Sequence, residues 1–340
     1  MKCILHIGTE KTGSTSIQDF CFNNRQLLFQ QDIIFSNSML YPGENNHSHL
    51  PYLGFGNERF DEYHVLHGLT DETKKGEHKN KIFLELEKEV KSNPKKTFLF
   101  SSEHLQSRLW EEKEVEALKK NLINVGFNDF KIILYIRDQL STAISLFSTG
   151  VKTGNVIDNV PTPDDFLWNH ICDHEGTINR WSSVFGDSSL LIRIFEKNEF
   201  VGNSLTIDFL NTAGLSNNDK FDPVEVKNKS LSGLGIKVLN EINAQIPLYI
   251  GGELNLDRSN ITNFFEKYFT EGQRYCPNQE IIDHYDSAYK DSNERVRQNF
   301  FPEREKLFKN EITYRKPTDI DDMDIKVIAN IFLQLWRSSN

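Results

Sequence analysis

Apolar residues along the chain fall into two rhythms that alternate over the first two thirds. Short β-branched and aromatic runs at Cys3 to Ile7, Asp32 to Ser36, Thr97 to Ser101, Lys131 to Ile136 and Leu190 to Phe195 predict strands covered on both faces. Between them, apolar positions three and four apart predict helices over Ser14 to Gln30, over Lys81 to Lys91 through Ile82, Phe83, Leu86 and Val90, and over Glu112 to Val125, closed by Gly126. A further helix runs within Gly202 to Gly214 and ends on that glycine. Strands alternating with helices build parallel sheets, so the fold class expected is α/β, a parallel β-sheet with flanking helices. Beyond about residue 230 the pattern becomes helical, with Leu234, Val238, Leu239 and Ile242, then Ile261, Phe264, Phe265 and Tyr268. Ser292 to Phe301 and Ile325 to Trp336 continue it. The division expected is an α/β core over 1–230 and a helical C-terminal part over 231–340. The stretch 41–76, rich in Gly, Asn and His and poorly periodic, reads as a long loop, and loops of that length usually work.

Chemistry enters where the first strand ends. Gly8-Thr-Glu-Lys-Thr-Gly-Ser-Thr-Ser16 links it to a helix start. Gly8 and Gly13 let the backbone turn, the helix N-terminus offers unpaired N–H groups, Lys11 adds a full charge, and Thr12, Ser14, Thr15 and Ser16 add hydroxyls. Such a loop cradles a phosphate or a sulfate. It departs from the nucleoside-triphosphatase order, in which four residues separate the first glycine from Gly-Lys-Ser/Thr, because Lys11 precedes Gly13. A second anion-handling segment follows the fourth strand. Arg137 stands at its end, and the helix beyond carries Ser141, Ser145, Ser148 and Lys152 on one stripe, with Leu140, Ala143, Ile144, Phe147 and Val151 on another. Ser101-Ser-Glu-His-Leu105 delivers Glu103 and His104 to the same strand edge. His47 and His49 in the long loop are further candidates for proton transfer, and their spacing also suits a metal.

The order G-x-x-K-T-G-S-T directly after an N-terminal strand resembles the loop of sulfotransferases that use 3′-phosphoadenosine 5′-phosphosulfate (PAPS). The resemblance covers the first two thirds of the chain and implies a P-loop-type fold. It assigns Gly8, Lys11, Thr12, Gly13, Ser14, Thr15 and Ser16 to the 5′-phosphosulfate. Arg137 and Ser145, eight residues apart as in that family, are assigned to the 3′-phosphate, and Phe195 to the adenine. Lys227 to Ser232 resembles the segment that returns toward the donor in bacterial members. Arg137-Asp-Gln stands where animal cytosolic members have Arg-Asn-Pro, which points to bacterial, carbohydrate-type relatives. The implied reaction moves a sulfuryl group to a hydroxyl or amine, with a glycan acceptor preferred, 3′-phosphoadenosine 5′-phosphate (PAP) as product and no metal required. Lys11 would neutralise the leaving phosphate. The base is Glu103, His104 or, within the 41–76 acceptor wall, His49. Two other classes stay open: a kinase-like phosphotransferase using ATP and Mg²⁺, and an adenine-nucleotide-binding protein without catalysis.

Composition narrows the field. A hydrophobic content of 38% with 11% aromatics supports a packed core, and a formal charge of −10 argues against a general nucleic-acid binder. Cys3, Cys21, Cys172 and Cys276 have neither metal spacing nor the density of a disulfide scaffold, which fits thiols in a reducing compartment. The first strand begins at the N-terminus and no apolar run spans a bilayer, so a cytoplasmic location is expected. The pattern carries no signal for oligomeric state.

Overall fold

The computed structural model describes residues 1–340 apart from 57, 218–219, 224–229, 252, 259, 310–321 and 340. Lys227, Asn228 and Lys229 of the donor-return segment therefore lie outside the described residues. In chain order the elements are β1 (Lys2–His6), α1 (Ser14–Asn23), α2 (Arg25–Gln30), β2 (Ile33–Phe35), α3 (Glu62–Leu66), α4 (Glu72–Ser92), β3 (Thr97–Ser101), α5 (His104–Arg108), α6 (Glu112–Asn124) and β4 (Asp129–Ile136). There follow α7 (Gln139–Lys152), α8 (Phe166–Cys172), α9 (His174–Phe185), β5 (Leu190–Ile194), α10 (Leu205–Ala213), α11 (Gly233–Gln245), β6 (Tyr249–Ile250), β7 (Glu253–Leu254), α12 (Ile261–Tyr268), α13 (Gln279–Phe300) and α14 (Asp322–Ser339). Two compact units result. The first comprises Met1–Arg137, Asp173–Glu225 and Ser292–Phe308, and the second Asp138–Cys172, Val226–Asp291 and Lys309–Asn340.

The first unit is a five-stranded parallel sheet in the order β2-β3-β1-β4-β5, with helices on both faces. Alternate residues of each strand enter separate cores, because successive side chains of a strand point to opposite sides. Cys3, Leu5, Phe98, Phe100, Ile132, Leu134 and Ile136 join one core with Leu86, Leu118 and Trp181 from α4, α6 and α9. Ile4, Leu99, Ile133 and Tyr135 join the other with Ile17, Phe20 and Phe209 from α1 and α10. The chain thus leaves β1 toward one face and β3 toward the other. Such a divergence falls at the C-terminal strand ends, where α/β sheets bind ligands.

The strands expected from sequence lie within a residue or two of their observed bounds. The helices depart further from the expected bounds. The helix expected over Ser14 to Gln30 is divided at Asn24, whose side-chain amide donates to the Phe20 carbonyl (2.9 Å) and to the Asp222 carbonyl (3.1 Å). α4 starts at Glu72 with Asp71 as N-cap, its side chain accepting from the Lys74 N–H (2.8 Å), and the charged first turns and Gly76 hid that start. The 41–76 stretch is not a bare loop, since it holds a 3₁₀ turn at Pro51–Leu53, α3 and the beginning of α4.

α10 is fixed to the sheet by charge as well as by packing. Asp208 is fully buried and accepts from the Tyr135 hydroxyl (2.7 Å), from Arg193 Nε (3.1 Å) and Nη2, and from the Val201 N–H (3.0 Å). A second buried pair, Arg304 with Glu196 (3.1 Å), ties the returning 292–308 segment to the end of β5.

The second unit is helical. Leu140, Phe147 and Val151 of α7 pack with Val238, Leu239, Ile242, Ile261, Phe265 and Tyr285. Lys152 meets Glu266 (2.9 Å), and β6 and β7 form a short antiparallel hairpin that the sequence pattern did not signal.

Removing Asp208 strands a buried hydroxyl and a guanidinium. Asp208→Ala is expected to cost about 3–5 kcal/mol, as for breaking a buried ion pair. Urea unfolding checks this, and a loss below about 1 kcal/mol would remove the network from its anchoring role.

Candidate functional site

The loop after β1 continues the sheet instead of leaving it. The Ile7 N–H donates to the Ile133 carbonyl (2.9 Å), the Thr9 N–H to the Tyr135 carbonyl (2.8 Å), and the Tyr135 N–H back to the Gly8 carbonyl (2.6 Å). Within the loop, Thr12 Oγ1 and Ser14 Oγ both donate to the Thr9 carbonyl, at 2.6 and 3.4 Å. Gly13 adopts a left-handed conformation (φ 76°) and caps α1 through its carbonyl, which accepts from the Ser16 and Ile17 N–H groups. No side chain caps this helix and its first turn holds no acidic residue, so its positive dipole end is not neutralised from within α1. Thr12 and Ser14 are buried, Thr15 is exposed, and Lys11 and Ser16 are half-buried.

Three strand ends bring their residues to this loop. From β4, Arg137 Nη1 donates to the Lys11 carbonyl (2.9 Å), and its guanidinium carbon lies 5.6 Å from the centre of the Phe195 ring. From β5, Phe195 is half-buried, with its N–H bonded to the Ile136 carbonyl (2.7 Å). A Cβ on Gly13 would stand 3.2 Å from that ring and 2.4 Å from Leu205 Cδ2, and the left-handed φ of 76° strains any other residue there. From β3, Glu103 packs beneath the loop, since a Cβ on Gly8 (φ 95°) would lie 2.9 Å from Glu103 Cβ. The Glu103 carboxylate accepts at Oε2 from Gln18 Nε2 (2.8 Å) and Asn46 Nδ2 (3.2 Å). His104 opens α5 and is half-buried. Lys11, Gly13, Glu103, Arg137 and Phe195 thus share one edge of the first unit. Ser145 lies in the second unit on α7, where its carbonyl accepts from Thr149 Oγ1 (2.9 Å).

The two loop histidines make different contacts. His47 is fully buried, its Nε2 sits 2.9 Å from the Ser36 carbonyl, and its Nδ1 accepts from the Ser101 N–H (3.0 Å). That pairing specifies the neutral ring with its proton on Nε2, and burial pulls its pKa down to about 4. His49 Nδ1 lies 2.5 Å from the Tyr63 hydroxyl, which also meets His78 Nε2 (2.9 Å). Burial first, then the neighbouring His67, His78 and Lys81, bring His49 to about 4 as well. His67 completes the cluster, its ring centre 5.1 Å from those of His49 and His78. His64, Tyr63, His67 and His78 gave no periodic signal, and the clue available was the density of histidine and tyrosine between residues 41 and 78. Gln18 and Asn46 were likewise missed, because an amide in a helix or a loop announces nothing by its spacing.

No protein-family model matches this chain, and no curated protein matches it. Among solved structures it is similar to a sulfotransferase from Alicyclobacillus acidocaldarius, at 17% identity over 67% of this chain and 87% of that one, with a TM-score of 0.42. No helix among the described residues is long and apolar enough to cross a membrane.

His47 links the site to acid stability. Its folded pKa of about 4 lies below the ordinary value of 6.5, so the unfolded chain takes up a proton between those pH values that the folded chain refuses. The His47 contribution to stability is therefore expected to fall as pH drops from 6.5 to 4 and to level off below. His47→Asn keeps polar contacts without titrating, so its unfolding midpoint should fall less steeply across that window. Parallel curves for the two proteins would contradict this.

Proposed function

We propose that the chain is a PAPS-dependent sulfotransferase with a carbohydrate hydroxyl or amine as acceptor. The observation that carries this reading is the contact of Arg137 with the Lys11 carbonyl beside Phe195. It joins a second cation and an aromatic face to a loop built for a tetrahedral anion. A donor with an anion at each end of an adenosine suits that arrangement. The loop amides, Thr12, Ser14, Thr15, Ser16 and Lys11 would hold the 5′-phosphosulfate, Phe195 would lie against the base, and Arg137 would take the 3′-phosphate. Ser145 stays assigned to the 3′-phosphate on its spacing from Arg137 in the sequence alone.

In the proposed step an acceptor oxygen or nitrogen lone pair attacks the sulfur. The bond from sulfur to the bridging oxygen breaks, its electrons pass to the 5′-phosphate of PAP, and the acceptor proton passes to a base. Glu103 is the base of choice, with His104 and His49 as the alternatives. Glu103 lies against Gly8 of the loop, whereas His49 is engaged with Tyr63. Lys11 counters the charge that builds on the leaving phosphate, a role in which preorganised donors dominate the rate. The remainder of the reading, a cytoplasmic bacterial enzyme whose 41–76 segment forms the acceptor wall, belongs to the same proposal.

Donor recognition is tested by calorimetry with PAP, AMP and ATP, with and without Mg²⁺. The wild-type protein should bind PAP well above AMP. Arg137→Ala should cost about 2 kcal/mol or more for PAP, the scale of a charge-assisted contact, and little for AMP. Equal losses would take Arg137 from the 3′-phosphate, and Mg²⁺-dependent ATP binding that exceeds PAP binding would favour the phosphotransferase reading. In a glycan panel supplied with PAPS, Lys11→Ala should lower turnover by about a hundredfold or more, and a rate near that of wild type would end its assignment.

A further inference from the structure

Glu103 is held by neutral donors from two separate directions, and neither donor belongs to its own element. Gln18 comes from α1, one turn beyond the anion loop, and Asn46 from the segment that follows β2. Both are buried, at 3% and 8% exposure, and both donate to the same oxygen, Oε2. Oε1 is the oxygen that neither amide engages. The backbone beneath is fixed as well, because the Glu103 carbonyl accepts from the Gln106 (3.1 Å) and Ser107 (3.0 Å) N–H groups.

Asn46 is set in place by its neighbours. Its carbonyl accepts from the Tyr41 N–H (3.0 Å), Asn45 Nδ2 donates to Asp19 Oδ1 on α1 (2.7 Å), and the His47 N–H donates to the Ser101 carbonyl (3.1 Å). Among the described residues, buried Asn46 Oδ1 has no hydrogen-bond partner. Turning the amide over would set that oxygen against the carboxylate, acceptor against acceptor. The orientation of Asn46 is therefore dictated by Glu103.

Resting on the sulfotransferase reading, we propose that Gln18 and Asn46 are positioning residues that hold the Glu103 carboxylate aimed, with Oε1 left to receive the acceptor proton. Two amides hold a carboxylate by hydrogen bonds without adding a counter-charge. An arginine or lysine in their place would pair with the carboxylate and weaken it as a base. Gln18 also makes the anion loop and the base parts of one rigid piece, since α1 begins at the loop. The titratable groups on the surrounding elements are His6 on β1, Glu10 and Lys11 on the loop, Asp19 on α1, His47 after β2 and His104 on α5.

The test is steady-state turnover with PAPS and the glycan panel, with PAP affinity measured by calorimetry on the same samples. Gln18→Met and Asn46→Ala should each lower kcat by about tenfold or more, part of the contribution of a well-placed base, while the KM for PAPS changes by less than about threefold. In a Glu103→Gln background neither substitution should lower kcat further. A kcat within about twofold of wild type in both single variants, or a further loss in the Glu103→Gln background, would overturn the proposal, and a loss in one single variant alone would remove the other amide from it. Gln18→Met retains shape and provides the answer if Asn46→Ala fails to fold. Absence of PAP binding in the wild-type protein would defeat the sulfotransferase reading, whereas PAP binding with unchanged kcat in both variants would defeat the positioning role alone.

Discussion

Pairing of β1 on both of its edges is the constraint on which the rest depends. Its register with β3 and with β4 runs in parallel, Leu5 facing Phe100 on one side and Ile132 on the other. Parallel strands end at the same edge, so whatever follows β1, β3 and β4 emerges together. The pairing does not stop at His6, because Ile7, Gly8 and Thr9 continue it against Ile133 and Tyr135. The anion loop is therefore anchored to the central strand of the sheet. A loop held this way presents its amides without first having to be ordered, which is what preorganised binding of a charged group requires.

The parts of this architecture that lay open in the sequence are those governed by local rules. A strand with both faces covered is a continuous apolar run, and β3 and β4 read that way. Gly8 and Gly13 mark positive φ angles, and Lys11, Arg137 and Phe195 could be placed at strand ends by counting. What stayed hidden depends on residues far apart in the chain. The division between α1 and α2 owes much to Asn24 meeting Asp222, 198 positions away. The ordering of the 41–76 segment rests on His49, Tyr63 and His78, brought together from a loop and two helices. The partners of Glu103 come from positions 85 and 57 residues distant. No periodicity encodes such pairs.

Polar burial is concentrated around the strand ends. His6 is fully buried with Nδ1 2.7 Å from Ser101 Oγ, and burial brings its pKa down to about 3. His47 spans β2 and β3 through their backbones, and Asp208 and Glu196 hold the segments around β5. Such groups are costly unless every partner is present, and for that reason they fix one arrangement where apolar contacts alone would tolerate several. His6, His47 and Ser101 lie at the edge that carries the candidate site.

The segment 292–308 gives the first unit a particular order of assembly. Val296 and Leu307 fill its core, Arg295 grips Glu175 through both carboxylate oxygens (2.6 and 2.7 Å), and Arg304 neutralises Glu196. A ribosome delivers all five strands about a hundred residues before it delivers these partners. During that interval Glu196 is without Arg304, and Val296 and Leu307 have yet to join a core that α4, α6 and α9 already line. The last side chains of that core therefore enter only after residues 226–291 have been synthesised, so the first unit is completed by a segment that arrives late in the chain.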